Sequence, residues 1–196
     1  MIDLNPLFDN LVDYPLISGF YNIDNVEVML NSPSKNIFLL DGNIFNLKDI
    51  STKIKENGKS LYIFVDSIDG FSKDTWGLEY MVKNIGLDGI ISRKSSIIKM
   101  SMDMGVFTIQ RTVIYNTKTL NDTLSALRNN RPHALEVLPG LLPEIIHRLS
   151  KETRIPIIAS GLINTKDDIK KCLDSGAIGV CTSNFQLLNN YKDLEK

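Results

Sequence analysis

Two charged residues in this sequence sit where a buried strand would normally be apolar. Glu136 lies inside the apolar run 134–138, and Arg111 is the second residue after the run 106–109. Burying a carboxylate is costly unless it is paired or hydrogen-bonded, so Glu136 indicates either a ligand-facing group or an ion pair with Arg111. A guanidinium has the fixed charge and the planar donors that suit phosphate or carboxylate ligands.

Polar residues also end other apolar runs. Asp66 offers a carboxylate for hydroxyl groups or a metal, or alternatively the cap of the next helix. Arg93 is either a second anion-binding cation or half of an exposed ion pair of small energetic value. Asp41, next to Gly42, favours a plain turn.

Two loops near the end of the chain have the pattern expected of a phosphate site. Ser160-Gly161-Leu162 and Thr182-Ser183-Asn184 combine small residues, which let backbone N–H groups approach an anion, with hydroxyl donors. Each tripeptide alone is equally typical of a helix cap. Together, after the seventh and eighth apolar runs, they predict the phosphate site that parallel barrels often form there.

Other chemistry has little support in the sequence. Cys172 and Cys181 are too few for a disulfide framework, and no Cys/His cluster has metal-ligand spacing, so we expect buried thiols and no metal. His133 and His147 have no nucleophile partner, which favours surface or packing roles. No dinucleotide fingerprint or P-loop occurs, and we expect no cofactor.

The segments that position these residues alternate between apolar and polar. Helix-favouring stretches occupy residues 46–56, 72–84, 118–129, 143–153 and 165–175. Continuous apolar runs are typical of strands buried on both faces of a parallel sheet. The eight such runs are 15–17, 37–40, 61–65, 89–91, 106–109, 134–138, 155–159 and 177–181.

Eight strands alternating with helices predict an α/β fold, a compact (β/α)₈ TIM-barrel-like domain that spans residues 1–196 as a single domain. The chain is close to the lower limit of about 200 residues for such barrels, so its loops must be short. A doubly wound open sheet shows the same alternation and remains the alternative.

Composition excludes several classes of protein. Hydrophobic residues make up 43% and charged residues 23%, which argues against disorder, collagen and coiled coil. The net charge of −1 provides no global attraction to nucleic acid or membranes and leaves room only for local basic patches. Without a signal peptide or a membrane-length apolar run, we expect a cytoplasmic protein with no membrane partner.

Several segments, taken in order and spacing, resemble the glycerol-3-phosphate-responsive antiterminator family, which regulates bacterial glycerol uptake operons. The resemblance extends from Pro15 to about Leu188 and implies a compact TIM-barrel-like fold. It also implies a sensor rather than an enzyme, which binds glycerol 3-phosphate and then leader mRNA, so that transcription is not terminated early. The segments are Gly89–Arg93, Ile109–Arg111, Leu135–Gly140, Ile155–Ile163 and Cys181–Asn184.

This resemblance implies a ligand site at the ends of the strands. Arg111, with Arg93, would supply positive charge, and Asp66 and Glu136 would accept hydrogen bonds from the glycerol hydroxyls. Gln110, beside Arg111, belongs to the same set. Backbone N–H groups would hold the phosphate near Ser160, Gly161, Thr182, Ser183 and Asn184. Ser160 stands where the family usually has glycine, which adds a hydroxyl donor or narrows the site.

Three questions stay open at this point. The RNA surface is unknown: Arg148, Lys151 and Arg154 could share one helix face, and a solvated face is the alternative. Homo-oligomers are not excluded. From the residues alone, a phosphate-handling barrel enzyme, an isomerase or lyase acting on a small sugar phosphate, is also supported by Asp41, Asp66, Glu136 and Arg111.

Overall fold

The fold was analysed in a computed structural model that describes residues 5–21 and 26–191. Within these residues the chain alternates between strands and helices. The strands are β1 Leu16–Phe20, β2 Asn36–Leu39, β3 Gly42–Asn43, β4 Ser60–Phe64, β5 Ile68–Asp69, β6 Gly89–Ser92, β7 Thr108–Val113, β8 Ala134–Leu138, β9 Ile157–Ser160 and β10 Ala177–Thr182. The helices are α1 Pro6–Asp13, α2 Val26–Leu30, α3 Leu47–Glu56, α4 Thr75–Ile85, α5 Ser95–Asp103, α6 Thr117–Asn129, α7 Pro143–Thr153, α8 Lys166–Asp174 and α9 Phe185–Asn190.

Eight of the strands form a closed parallel barrel. Its order is β1-β2-β4-β6-β7-β8-β9-β10, and β10 pairs back with β1 through Ile17 opposite Cys181. This closure confirms the predicted barrel and rules out the open doubly wound sheet, in which the first and last strands would not meet. The eight apolar runs of the sequence correspond to these eight strands.

Helix α1 fills the end of the barrel where the strands begin. Asn5 caps the helix, because its side chain accepts a hydrogen bond from the Leu7 N–H, and Pro6 follows as a favoured first residue. Leu7 and Leu11, four residues apart, pack into the barrel interior with the apolar residues of the strands. The carboxyl ends of the strands and the loops that follow them form the opposite end, which we call the mouth.

Side chains along each strand alternate between the barrel interior and the surrounding helices. Ile17, Phe38 and Ile158 face the interior, whereas Ile37 and Ile157 pack with helix residues outside. At Gly19, on β1, a Cβ atom would lie 2.8 Å from the sulfur of Cys181 on β10. Glycine is therefore needed at this position, because the inward-facing thiol lies close to the β1 backbone. This alternation decides which polar residues at the mouth face inward.

A small second sheet lies in the loops beyond β2 and β4. Strands β3 and β5 pair in parallel through Gly42 opposite Ile68, and the Ile44 N–H donates to the Asp69 carbonyl at 3.0 Å. Two-residue strands have no hydrophobic pattern of their own, so the sequence did not predict them. The small sheet orders two mouth loops relative to each other.

Candidate functional site

Arg111 and Glu136 form a buried ion pair inside the barrel. They are opposite each other on β7 and β8. The Arg111 Nε lies 2.6 Å from Glu136 Oε2 and Nη2 lies 2.9 Å from Oε1, so both carboxylate oxygens are bonded to one guanidinium. Glu136 is fully buried and Arg111 is 6% exposed. The structure therefore shows the ion pair with Arg111, and a ligand-facing role of Glu136 stays a prediction.

The Arg111 guanidinium lies over the aromatic ring of Phe64. The Arg111 Cζ lies 4.2 Å from the centroid of the Phe64 ring, and the Arg93 Cζ lies 5.8 Å from the same centroid. Burial acts to lower the pKa of Arg111, but the Glu136 carboxylate outweighs it and the pKa is raised. Arg111 is thus a permanent cation whose orientation is set from two sides.

Asp66 joins the ends of two neighbouring strands. Its Oδ1 accepts a hydrogen bond from the Ser92 hydroxyl at 2.7 Å, and its Oδ2 accepts one from the Arg93 N–H at 2.9 Å. The Arg93 Nε lies 3.6 Å from Asp66 Oδ2, with the Arg93 side chain 62% exposed. Like Glu136, Asp66 already uses both carboxylate oxygens. Either residue must share or exchange these bonds if it is to accept hydrogen bonds from a ligand's hydroxyls.

All five residues predicted to surround a phosphate line one cavity of about 340 Å³ at the mouth. These residues come from the last positions of β9 and β10 and from the loops that follow these strands. The cavity has the size of the smaller ligand sites found in proteins. Its lining consists of Ser160, Gly161, Thr182, Ser183 and Asn184, together with Gly19, Tyr21, Leu40, Leu162, Ile163, Asn164 and Cys181.

Hydrogen bonds within these loops set their shape. The Thr182 hydroxyl donates to the Ile163 carbonyl at 3.2 Å and accepts from the Asn184 N–H at 3.1 Å. The Asn184 side chain caps α9 by accepting from the N–H groups of residues 186 and 187. Because the Asn184 N–H is already bonded within the loop, its predicted role as a phosphate donor would require that bond to break.

The loop after β9 adopts an uncommon backbone conformation. Gly161 has a φ of 80° and Leu162 has a φ of 64°, both in the left-handed region. For a leucine this conformation is unfavourable and is held by its surroundings, and such residues cluster at functional sites. A Cβ atom on Gly140, in the neighbouring loop, would lie 3.0 Å from the Ser160 nitrogen. The two loops are therefore packed backbone to backbone at the edge of the cavity.

Tyr21 and Cys181 connect the cavity with the ion pair, since Arg111 and Glu136 do not themselves line it. Burial raises the pKa of Tyr21, and the Arg111 charge opposes this rise. Burial also raises the pKa of the Cys181 thiol, as does the Glu136 charge. Both side chains thus interact electrostatically with the ion pair while forming part of the cavity wall.

Gln110 lies apart from this arrangement. Strand alternation places its side chain on the opposite face of β7 from Arg111, and its Nε2 donates to the Ser95 hydroxyl at the start of α5 at 3.3 Å. Its Oε1 is buried and has no hydrogen-bond partner within the described chain. A ligand in the cavity would not reach Gln110 without a rearrangement of that strand.

The sequence did not predict a role in the site for Tyr21, Phe64 or Cys181. The first predicted strand stopped at residue 17, whereas β1 continues to Phe20 and brings Tyr21 to the mouth. Phe64 and Cys181 were assigned only to apolar runs. The two-residue period of a strand puts Phe64 on the same face as Tyr62, and both side chains belong to the cluster inside the barrel.

The remaining predicted features lie elsewhere. Both cysteines are free and buried, and His133 stacks on Phe107 with ring centroids 4.7 Å apart. Arg148 pairs with Glu152 on α7, whose carboxyl end, with Arg154, lies at the opposite end of the barrel from the mouth. Among residues 5–21 and 26–191, no group of acidic, histidine and cysteine side chains could hold a metal, and no helix could span a membrane.

Comparisons with known proteins agree with the geometry. The structure superposes on the glycerol uptake operon antiterminator regulatory protein of Listeria monocytogenes str. 4b F2365 with a TM-score of 0.84 and 27% identity, over 88% of this chain and 93% of that one. A glycerol uptake operon antiterminator-related protein of Thermotoga maritima MSB8 gives a TM-score of 0.79 at 23% identity, over 88% and 96% of the two chains. The uncharacterized protein YgcP of Escherichia coli K12 is 28% identical over 179 residues, 91% of this chain and 94% of that protein.

More distant structures share only the fold. A deoxyribose phosphate aldolase of Aeropyrum pernix has a TM-score of 0.67 at 16% identity, over 96% and 97% of the two chains. Such a likeness says nothing about reaction or ligand, because this barrel supports many functions. The sequence model of the family described as glycerol-3-phosphate responsive antiterminators matches residues 16–188. The chain therefore belongs to the glycerol-3-phosphate responsive antiterminator family.

Proposed function

We propose that this protein senses glycerol 3-phosphate at the mouth of the barrel. In the ligand-bound form it binds the leader mRNA of glycerol uptake and catabolic genes and prevents early termination, which places it in the cytoplasm. Family membership supports this role. The observation that carries it is the fixed Arg111 cation next to a small cavity lined by glycine and hydroxyl residues.

The ligand's phosphate lies between the two loops and the guanidinium. Arg111 uses Nε and Nη2 to bind Glu136, so we assign Nη1 to the ligand. Ser160 and Ser183 line the cavity and supply hydroxyl donors, and Gly161 lets the backbone approach closely. Tyr21 lines the cavity, where its hydroxyl can meet the glycerol end of the ligand.

Sensing is favoured over catalysis by the state of the two carboxylates. An isomerase or lyase needs an acid or base that can reach its substrate and exchange a proton. Asp66 bonds to Ser92 and to the Arg93 N–H, and Glu136 bonds to Arg111 through both oxygens. These bonds suit residues that hold a binding site in shape.

Calorimetric titration with glycerol 3-phosphate tests the ligand. We expect saturable binding to glycerol 3-phosphate, and much weaker binding to glycerol or inorganic phosphate, because each control lacks half of the contacts. Arg111→Ala should abolish measurable binding. Arg128→Ala removes the same charge near the opposite end of the barrel and should leave binding unchanged. Equal affinity for inorganic phosphate, or full binding by Arg111→Ala, would overturn the assignment.

The regulatory step is tested by adding RNA. A transcript of the untranslated leader of the host's glycerol uptake operon should bind the ligand-saturated protein and bind the ligand-free protein more weakly. Turnover of a triose or pentose phosphate that disappears in Glu136→Gln would instead establish the enzyme alternative.

A further inference from the structure

The exposed aromatic side chains of the described residues are concentrated at one end of the molecule. They are Tyr21, Phe45, Trp76, Tyr80 and Tyr115, and each follows the carboxyl end of a barrel strand, in a mouth loop or in the first turns of α4. Phe45 is 91% exposed and Trp76 is 80% exposed. Large aromatic groups left in water at one face indicate a surface that another molecule covers.

Three of these aromatics lie on the part of the rim beyond β2 and β4. Trp76 and Tyr80 are one helical turn apart on α4 and share a face. The Tyr80 ring packs against Phe71 with centroids 5.9 Å apart. Phe45 follows the small β3–β5 sheet, and its N–H donates to the Asn43 side chain at 3.0 Å. The backbone that presents these rings is therefore ordered by its own hydrogen bonds.

Two lysines come from loops at the same part of the rim. The Lys73 ammonium donates to the backbone carbonyl of Asp66, and the Lys94 N–H donates to the Ser92 hydroxyl at 3.0 Å, so both lysines belong to the loops that meet at Asp66. Two nearby acids are engaged, because Asp66 bonds to Ser92 and to the Arg93 N–H, and Asp74 caps α4 by accepting from the Gly77 N–H at 2.9 Å. Asp41 and Asp69 are exposed carboxylates at the same part of the rim. Glu79 pairs with Lys83.

We propose that this edge, formed by Phe45, Lys73, Trp76, Tyr80 and Lys94, binds single-stranded leader RNA. A base stacks on Trp76, with Phe45 and Tyr80 beside it, and Lys73 and Lys94 contact the phosphates. Aromatic platforms interleaved with cations are the usual means of binding unpaired nucleotides. The inference rests on the proposed function, because it names the surface through which the ligand-bound protein would act.

The same contacts connect this edge to the ligand site. Lys73 bonds to Asp66, Asp66 bonds to Arg93, and Arg93 shares the Phe64 ring with Arg111. A phosphate that draws the exposed Arg93 side chain toward the cavity changes the charges around Asp66, and therefore the position of Lys73. Ligand and RNA thus bind to neighbouring parts of one face, which accounts for linkage between them without a long-range pathway.

The single tryptophan of the chain allows a direct test. With the protein saturated in glycerol 3-phosphate, titration of the leader transcript should quench the Trp76 fluorescence in proportion to binding measured by filter retention. An RNA that binds and leaves Trp76 fluorescence unchanged would overturn the stacking contact.

Variants test whether RNA binds to this edge or to another part of the mouth. Trp76→Ala should weaken RNA binding about tenfold, within the range for one lost base–aromatic stack. Lys73→Ala combined with Lys94→Ala should reduce the slope of log affinity against log salt by about 1.4, since each phosphate contact on a single strand contributes about 0.7. The matched controls are Tyr115→Ala and Lys118→Ala, exposed residues at and after the end of β7, and both should bind RNA normally.

The Trp76, Tyr115 and Lys118 variants should bind glycerol 3-phosphate like the wild type, which checks their folding. Normal RNA binding by the Trp76 and lysine variants would refute this surface while leaving the proposed function intact. Failure of the wild type itself to bind the transcript would refute the proposed function. If Trp76→Ala instead dissociates a dimer, seen by light scattering, and binds RNA normally, the edge is a contact between two copies of the chain and the proposal is wrong.

Discussion

At the scale of single residues, the site depends on a buried ion pair whose two members need each other. Arg111 and Glu136 are almost completely excluded from water, and each satisfies the other through two hydrogen bonds. Removing one member of such a pair leaves an uncompensated buried charge, whereas replacing both is often tolerated. Glu136 thus acts mainly through Arg111, as the residue that keeps the guanidinium in one orientation.

We expect Glu136→Gln to lower the free energy of unfolding by about 3 kcal/mol, because one neutral amide cannot balance the buried guanidinium. The double variant with Arg111→Met should recover part of this loss. Urea denaturation measures both. Arg93→Met, with an exposed side chain, serves as the control and should cost less than about 1 kcal/mol. Equal losses for Glu136→Gln and the control would contradict this account.

A second residue-scale prediction concerns His133. Its Nδ1 accepts a hydrogen bond from the Thr108 N–H at 3.1 Å, which requires the neutral ring, and burial lowers its pKa. A lowered pKa means that the unfolded chain binds the proton more readily. Stability is therefore fully present above the ordinary pKa of histidine, about 6.5, and declines as pH falls through the folded value.

The measurement is urea denaturation between pH 7.5 and 5. His133→Asn should show a shallower decline than the wild type, since the titrating ring is gone. His147→Asn, an exposed position on α7, should decline like the wild type. Identical curves for the wild type and His133→Asn would show that the Thr108 contact does not influence the titration.

At the scale of elements, the bounds of helix α1 and strand β7 depend both on the local sequence pattern and on tertiary contacts. The sequence ended the strand at Ile109, because polar residues follow, yet β7 runs from Thr108 to Val113. Its extension pairs Arg111 with Glu136 on β8, so the polar residues lie within the strand. The cap and the Leu7/Leu11 spacing of α1 were visible in the sequence, although the helix is only eight residues long and was missed.

The role of α1 as a plug predicts a large effect of a single truncation. Leu7 is fully buried inside the barrel, so Leu7→Ala should cost about 2–5 kcal/mol of unfolding free energy. Val12 on the same helix is 86% exposed, and Val12→Ala should change stability by less than about 0.5 kcal/mol. Thermal or urea unfolding distinguishes the two. A small effect of Leu7→Ala would mean that the barrel interior closes without the helix.

At the scale of the whole molecule, the proposed ligand site is shared among strands that are far apart in the chain. Phe64 comes from β4, Arg111 and Glu136 from β7 and β8, and the cavity loops from β9 and β10. A ligand that contacts all of them binds only the folded barrel. Binding must then stabilise the fold in proportion to ligand concentration.

Glycerol 3-phosphate at a hundred times its dissociation constant should stabilise the fold by about 2.7 kcal/mol and raise Tm by about 5–10 °C. Differential scanning calorimetry measures this shift. Glycerol should cause almost no change, and Arg111→Ala should lose the shift. By reciprocity, leader RNA should tighten ligand binding by the factor by which ligand tightens RNA binding. Equal stabilisation by glycerol and glycerol 3-phosphate would contradict the proposed contacts.

The sequence by itself determined the number and order of the barrel strands, because continuous apolar runs reflect burial on both faces of a parallel sheet. It also located the polar residues at the strand ends, and the small-residue loops that form the cavity. Only the tertiary structure decided that Arg111 and Glu136 face inward as a pair while Gln110 faces outward, and that Asp66 bonds to β6. The direction in which a side chain faces and the residue with which it pairs depend on the register between strands that are distant in sequence. A shift of one residue in that register moves every side chain of a strand to the opposite face of the sheet.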